Sequence, residues 1–580
     1  RPWHSPRSAR PVGGHSRSAR AARRAMAPRF CDSVPVTAAE PPVPEPAAGG
    51  PSSAPPAAQE PAWAPLRIGV FRMLWIAVLL SQVGTWMQTV GAQWLLVSRP
   101  GAATLVSLVQ TASTLPVLLL ALPSGVLADS FDRRRLLIVV QVFQFGTAAT
   151  LAALTIAGQM SPALLLILTF GLGCGTALTA PAYQALIPEL VPRPMLPSAS
   201  ALGAISMNLA RAIGPAIAGL IVASLGAGTV FAINAASFAV FAVVLFSWRR
   251  EPADGQEPAE PFLAALRAGS RYVRHSPVMR RFLLRLSLFV VPGVALWALL
   301  PLIATERLHL GATGYGLLLA ALGIGAVAGA LGMPRFRRWF SHNQVLAIAS
   351  ASYAVAVVVT ALVPVFWIAM VVLVPAGAAW VAVLANANAD VTLFLPRWVR
   401  ARGLSTYQLV FFGAQAIGAA GWGLLADVAG LVPALVAAGV MAAGSAATIR
   451  IWPLPDTRHL NREPASYWRE PQLAAEPDPT AGPVVVEVTY LVREENRQAF
   501  LAAMENVRRS RRRTGAVQWG IFTDGEQPSR MVEVYVVPTW EEHLRQHTGR
   551  LTATDQAFEE RAHALVDGEP QVVHLLPAEP

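Results

Sequence analysis

Twelve apolar runs, each about 20 residues long, leave this chain one kind of structural solution. They lie near 74–97, 103–127, 136–157, 163–183, 203–224 and 228–248, then near 286–305, 313–333, 344–363, 366–386, 404–426 and 430–451. As a helix, such a run rises by about 30 Å, the thickness of the hydrocarbon layer. Inside hydrocarbon each backbone N–H and C=O must find its partner within the protein, so each run is predicted to be a helix. The predicted fold class is an all-α membrane protein with twelve transmembrane helices. Only 14% of the 580 residues are charged, while 54% are hydrophobic; a soluble domain carries roughly one quarter charged residues. The net charge of +12 resides in arginine clusters, which in a membrane chain mark loops rather than a nucleic-acid site. The expected surroundings are a lipid bilayer, with no nucleic acid. Cys31 and Cys174 are the only cysteines, too few for a disulfide framework or a cysteine metal site.

The arginines also set an expected orientation. Alternate gaps between the runs hold Arg133, Arg134, Arg135, Arg193, Arg335, Arg337, Arg338, Arg397, Arg400 and Arg402, and the central gap holds eight from Arg249 to Arg285. The other gaps hold Arg99 and Arg307. By the positive-inside rule, both termini and the central loop face the cytoplasm of a cell (plasma or inner) membrane.

The two halves overlay at a single offset of 204 residues. Gly125, Leu127, Arg133 and Arg134 fall on Gly329, Leu331, Arg337 and Arg338. Pro192 and Arg193 fall on Pro396 and Arg397, and Gly214, Gly219, Leu220 and Gly226 fall on Gly418, Gly423, Leu424 and Gly430. A duplicated six-helix unit in parallel orientation accounts for this, and parallel halves with a substrate site between them are a transporter plan. The chain divides accordingly. Residues 1–65 form a basic, Pro-rich segment predicted to be disordered, without the apolar stretch of a secretory signal; Met26 is a candidate start. Residues 66–248 are the first six-helix half, 249–285 a central loop with an interfacial amphipathic pattern, 286–452 the second half, 453–482 a linker and 483–577 a soluble tail.

Two stretches carry motifs. "GVLADSFDRRRLL", residues 125–137, resembles the signature loop between helices 2 and 3 of the major facilitator superfamily. Gly125, Leu127, Ala128, Asp129, Arg133, Arg134 and Leu137 match it, whereas Ser130 and Asp132 depart from it. "ARAIGPAIAG", residues 210–219, resembles the helix 5 motif of drug and antiport exporters through Gly214, Pro215 and Gly219. With "LPRWVRARGLSTYQLVFFGAQAIG" and the tail, the chain is similar to the exporter branch known as transmembrane secretion effectors, which includes siderophore exporters. The resemblance implies export of a small organic molecule (a siderophore, drug or secondary metabolite) by alternating access with proton antiport. It also implies gating roles for Gly125, Asp129, Arg133, Arg134, Gly214, Pro215 and Gly219. Asp129 is the part of the loop that topology does not explain, because Met333 stands at its repeat position.

Substrate-pathway candidates follow from polar residues in apolar runs. Arg211 is the one full charge well inside a run, and such a charge faces the bundle interior or a wet cavity. It either meets an anionic substrate or pairs with carbonyls and amides, and Asn208 one turn earlier fits both roles. Gln82, Trp86 and Gln93 in helix 1, and Gln408 and Gln415 in helix 11, suit a pocket for an amphipathic ligand or amide bonds between helices. No run holds an acid near its centre, which leaves Asp129, Glu306 and Asp390 as candidate proton carriers.

The tail reads strand, helix, strand, strand, helix, strand, a ferredoxin-like α+β order. It resembles antibiotic-biosynthesis monooxygenase domains, which pair into dimeric barrels and act without metal. A homodimer through the tail is the partner interaction this implies, and a membrane-tethered monooxygenase-like enzyme or sensor is the alternative to a transporter. The preferred reading is no enzyme, no catalytic residues, no cofactor and no metal. His543 and His547 share a helix face but lack a further ligand in the sequence pattern, and a solvated helix face is expected there.

Overall fold

The computed structural model describes residues 61, 63–248, 270–454, 465, 467–468 and 477–578, and the backbone alone at 121, 122, 125, 126, 128–130, 193, 397 and 401. The expectations for nearly all of segment 1–65, and for most of the central loop and linker, lie outside these residues. Among the described residues, twelve apolar helices form: α1 (Gly69–Leu96), α2 (Ala102–Ser130), α3 (Arg133–Ile156), α4 (Pro162–Leu190), α5 (Leu196–Leu225), α6 (Ala227–Ser247), α7 (Pro277–Leu302), α8 (Ala312–Trp339), α9 (His342–Leu362), α10 (Phe366–Phe394), α11 (Arg400–Ala429) and α12 (Leu431–Ala447). Eleven are long and apolar enough to cross a bilayer; α12 has the same apolar character in 17 residues.

The internal repeat is visible in the helix boundaries. α4 and α10 begin and end 204 positions apart, as do α5 and α11. Gly226 and Gly430 each close one of those helices with positive φ, 81° and 95°, a conformation costly for any residue with a β-carbon. Packing repeats as well. In the first half α1 lies against α5 and α6, α2 against α4, and α3 against α4 and α6. In the second, α7 lies against α11 and α12, α8 against α10, and α9 against α10 and α12. Two seams join the halves, α2 on α11 and α5 on α8, and the repeat exchanges one for the other.

Arginines at the helix ends close the carbonyl ends of neighbouring helices, which lack internal partners. Arg134 donates from Nε to the Leu245 carbonyl at 2.8 Å and from Nη2 to that of Phe246 at 3.0 Å. Arg307 does the same for α9 through Ala361 and Leu362, and Arg285 for α12 through Ser445 and Thr448. Asp132, which departs from the family loop, caps α3: its carboxylate accepts the Arg135 N–H at 2.8 Å. A carboxylate at a helix N-terminus also complements the helix dipole.

The tail belongs to the same compact unit, Glu60–Pro580, as the helices. It contains β1 (Val484–Leu491), α13 (Arg497–Thr514), β2 (Gln518–Thr523), β3 (Arg530–Val537), the short α14 (Trp540–Arg545), α15 (Ala553–His563) and β4 (Gln571–Leu575). The strands form one antiparallel sheet in the order β2-β3-β1-β4. β1 alternates buried and half-buried residues, the period of a strand with one face on a core, and Phe500, Met504 and Val507 of α13 fill that core.

Candidate functional site

The charge singled out in α5 meets an aromatic row where the halves join. The Arg211 guanidinium lies 5.5 Å from the centre of the Trp86 ring on α1, a cation–π contact. Trp86 stands 6.0 Å from Trp297 on α7, Trp297 stands 5.8 Å from Trp380 on α10, and Trp380 stands 5.8 Å from Tyr353 on α9. The row thus runs from the first half into the second. Arg211 Nε is buried and has no hydrogen-bond partner among the described residues. A cation over one indole face, with a donor left over, can bind an anionic group on an aromatic body. Arg211 and Trp86 were legible as candidates. Trp297, Trp380 and Tyr353 were not, because a Trp or Tyr in an apolar run carries no mark of which face it occupies.

The Gly-Pro motif of α5 packs against two helices at once. A β-carbon on Gly214 would stand 2.8 Å from Trp86 Cβ on α1, and one on Gly219 would stand 2.7 Å from the Ala312 carbonyl and 3.0 Å from Gly316 Cα on α8. The Pro215 carbonyl lies 2.7 Å from where a β-carbon of Gly316 would be. The repeat reproduces this: Gly418 meets Val291 and Val294 of α7, and Gly423 meets Ala103 and Ser107 of α2. Small residues here let the helices approach backbone to backbone. Both inter-half seams are therefore close-packed at the ends remote from the arginine clusters, and on α5–α8 the close approach continues inward to Gly323 against Ala212. Hydrogen bonds between halves reinforce those ends: Thr104 N donates to Asp427 Oδ2 at 2.9 Å, and the Tyr315 hydroxyl donates to Gln93 Oε1 at 2.5 Å.

The other predicted residues separate by role. Gln82 accepts a 3.4 Å bond from Ser206 of α5 and Gln93 Oε1 accepts from Tyr315, so both link helices, while Gln93 Nε2 is buried without a hydrogen-bond partner among the described residues. Asn208 donates to the Ala204 carbonyl of its own helix at 2.9 Å. Gln415 is buried, whereas Gln408 is exposed, and the structure does not bring the two together with Arg211. Gly125 and Asp129 are described only as backbone positions near the end of α2. Arg133 pairs with Glu189 of α4 at 2.6 Å, inside its own half, and Arg134 closes α6. His342 and Asp390 pair at 2.8 Å at the arginine-bearing end.

The tail rests on that same end. Arg271, just before α7, pairs with Glu542 of α14 at 3.0 Å. Trp398, between α10 and α11, donates its indole N–H to the Arg550 carbonyl at 3.2 Å and lies under the Arg550 guanidinium at 5.1 Å. Arg550 in turn grips Glu542 at 2.6 Å. Burial raises the proton affinity of Glu542, but the bonds from Arg550 and the charges of Arg550 and Arg271 prevail and hold it down to about 2. Within the tail, Arg511 is buried between Glu533 and Glu559, and Tyr490 and Trp519 also donate to Glu533, at 2.9 and 2.7 Å. His543 and His547 are 0% and 8% exposed. The expected solvated face is thus corrected: α14 and the π-helical turn after it, Gln546–Arg550, turn His543 and His547 inward against Trp468, 6.3 and 4.8 Å away.

A sequence profile of the transmembrane secretion effectors matches residues 60–580, tail included. The chain belongs to the transmembrane secretion effector family. It is thereby a multi-pass membrane transporter of the major facilitator type. It is 26% identical over 378 residues to the multidrug efflux pump Tap of Mycolicibacterium fortuitum, spanning 63% of this chain and 90% of that one. It is 24% identical over 275 residues to the staphyloferrin A transporter of Staphylococcus aureus, 47% of this chain and 69% of the relative. The enterobactin exporter EntS of Salmonella typhimurium is 29% identical over 252 residues, 43% of this chain and 59% of EntS. Among solved structures, the nucleoside transporter NupG superposes with a TM-score of 0.54 at 12% identity, covering 66% of this chain and 98% of NupG. A bacterial homologue of the lysosomal transporter Spinster, in an inward-facing state, gives 0.52 at 16% identity, 67% and 96% covered. These two likenesses concern the fold.

Proposed function

We propose that this secretion effector exports a small amphipathic organic molecule carrying an aromatic body and an anionic group, by alternating access. The observation that carries the reading is Arg211: a half-buried cation whose buried Nε is a spare donor, set against Trp86 at the head of an aromatic row that crosses the junction of the halves. An intramembrane charge is costly unless it is used or paired, and the drug and siderophore exporters among the relatives support such a cargo. The seams closed at the Gly219 and Gly423 ends correspond to one of the two alternating states, with the arginine-bearing end, read as cytoplasmic, as the side from which cargo enters.

Export is read as proton-coupled. Of the candidate carriers we favour Asp390, which stands 2.8 Å from an imidazole nitrogen of His342 at the side where cargo enters. The tail is read as a ferredoxin-like module for pairing or cargo sensing, attached to the second half through Arg271 and Trp398. The test is efflux from inverted vesicles under an imposed pH gradient, with phenolate siderophores, anionic aromatic drugs and their neutral analogues. Gradient-dependent movement of the anionic compounds, lost in Arg211→Gln, is the expected result. Equal movement of the anionic compounds by wild type and Arg211→Gln would reject the proposed role of Arg211.

A further inference from the structure

The tail brings a third imidazole to His543 of α14 and His547 of the π-helical turn that follows it. His574 lies on β4, opposite Val486 of β1, and its ring centre is 4.9 Å from that of His543. The ligand-capable ring nitrogens of His543, His547 and His574 all lie within 4.8 Å of one another. No spacing in the sequence announces this, because 27 positions separate His547 from His574 and the sheet order alone makes them neighbours.

The surroundings of His543 set its tautomer. The Thr514 hydroxyl donates to the Ser510 carbonyl at 2.9 Å, so toward Gln546 it accepts, from the side-chain N–H at 3.1 Å. That orients the Gln546 carbonyl oxygen at His543 Nδ1, 3.2 Å away, and the proton of the neutral imidazole must sit on Nδ1. His543 Nε2 is left with its lone pair facing His547 Nε2 at 3.2 Å. A metal-binding histidine is held in this way, with one nitrogen anchored by an outer carbonyl and the other presented to the ion. Two nitrogens each about 2.0–2.1 Å from a tetrahedral ion stand roughly 3.3 Å apart, close to the separation observed.

We infer that His543, His547 and His574 form a binding site for one divalent transition metal of the zinc class. Three neutral imidazoles favour zinc, cobalt, nickel or copper over magnesium or calcium, and three protein ligands leave a fourth position for water or an exogenous donor. The inference does not depend on what the membrane helices carry.

The test uses the full chain in detergent, free of any affinity tag, stripped with chelator and then titrated with Zn²⁺ and, separately, Co²⁺. Wild type is expected to retain one equivalent of zinc through desalting and to give the visible absorption of four- or five-coordinate cobalt. His574→Ala, and His574→Gln as the milder variant on an edge strand, should bind at least about 10-fold more weakly, and Gln546→Ala should weaken binding with all three imidazoles intact. His563→Ala, which alters a tail histidine outside the triad, should bind like wild type. Circular dichroism identifies any variant that fails to fold. Wild type that keeps no zinc overturns the site whatever the variants do, and so does zinc held equally by wild type and a folded His574 variant.

Discussion

Gly219 of α5 and Gly316 of α8 face each other with no side chain between them: a β-carbon on either would stand 3.0 Å from the other's Cα. This contact joins the two halves, and the repeat supplies its counterpart at Gly423 of α11 against α2. Any larger residue must part the helices or distort one of them, at about 1–3 kcal/mol for overpacking. Gly219→Leu and Gly423→Leu are therefore expected to lower efflux at least tenfold with normal membrane insertion. Gly421→Leu, where open space surrounds the position, should export normally. Wild-type efflux by Gly219→Leu in the vesicle assay would show that the seam tolerates a side chain.

Arg211 and Trp86 form the second relationship to test. Trp86→Phe keeps a ring but weakens the cation–π contact, and Trp86→Ala removes it. The expected order of efflux of an anionic aromatic compound is wild type, Trp86→Phe, Trp86→Ala, with Arg211→Lys above Arg211→Gln because the charge is retained. If Arg211 serves packing alone, Arg211→Gln will transport as well as Arg211→Lys, and that result would count against a cargo site.

The loop between α2 and α3 holds two carboxylates with different expectations. Asp132 caps α3, so Asp132→Ala should cost about 1 kcal/mol and reduce the amount of folded protein more than its turnover. Asp129 is the carboxylate that the repeat does not reproduce, Met333 standing at its counterpart, and its proposed part is in the gate. Asp129→Asn should cut turnover per folded molecule and leave insertion intact. The decisive measurement is efflux normalised to the amount of protein in the membrane; unchanged turnover in Asp129→Asn would remove Asp129 from the gate.

Glu542 attaches the tail to Arg271 and Arg550. Its carboxyl is held at about 2, against an ordinary 4.5. A depressed acid contributes its attachment fully above the ordinary value and loses it as pH falls through the lowered one. Hydrogen exchange at α14 and around Trp398 should therefore stay constant from about pH 8 to 5 once corrected for intrinsic rates, with tail release confined to stronger acid. Glu542→Gln should release the tail at every pH. Loss of protection at Trp398 near neutral pH in the wild type would contradict this arrangement.

The membrane part was legible before any coordinates because the bilayer imposes a coarse, repeated rule. About 20 apolar residues make a helix that spans, and each run became one, with α12 the short exception. The same uniformity hides which helix face meets which neighbour. Gly214 and Gly219 were recognisable as a motif, yet nothing in "ARAIGPAIAG" says that one glycine faces α1 and the other α8. Arg134 read as a topology charge, and the fold adds that it closes the carbonyl end of α6.

By itself, then, the sequence determined the succession of apolar helices, the duplication at 204 residues, the arginine-marked ends and the strand–helix order of the tail. Each of these rests on local periodicity or on identity at a fixed offset. The tertiary structure alone decided the rest: Trp297 and Trp380 beside Trp86, the tail held by Arg271 and Trp398, and His574 beside His543. Those neighbours come from different helices or strands, and long-range packing, which leaves no periodic trace along the chain, brings them together.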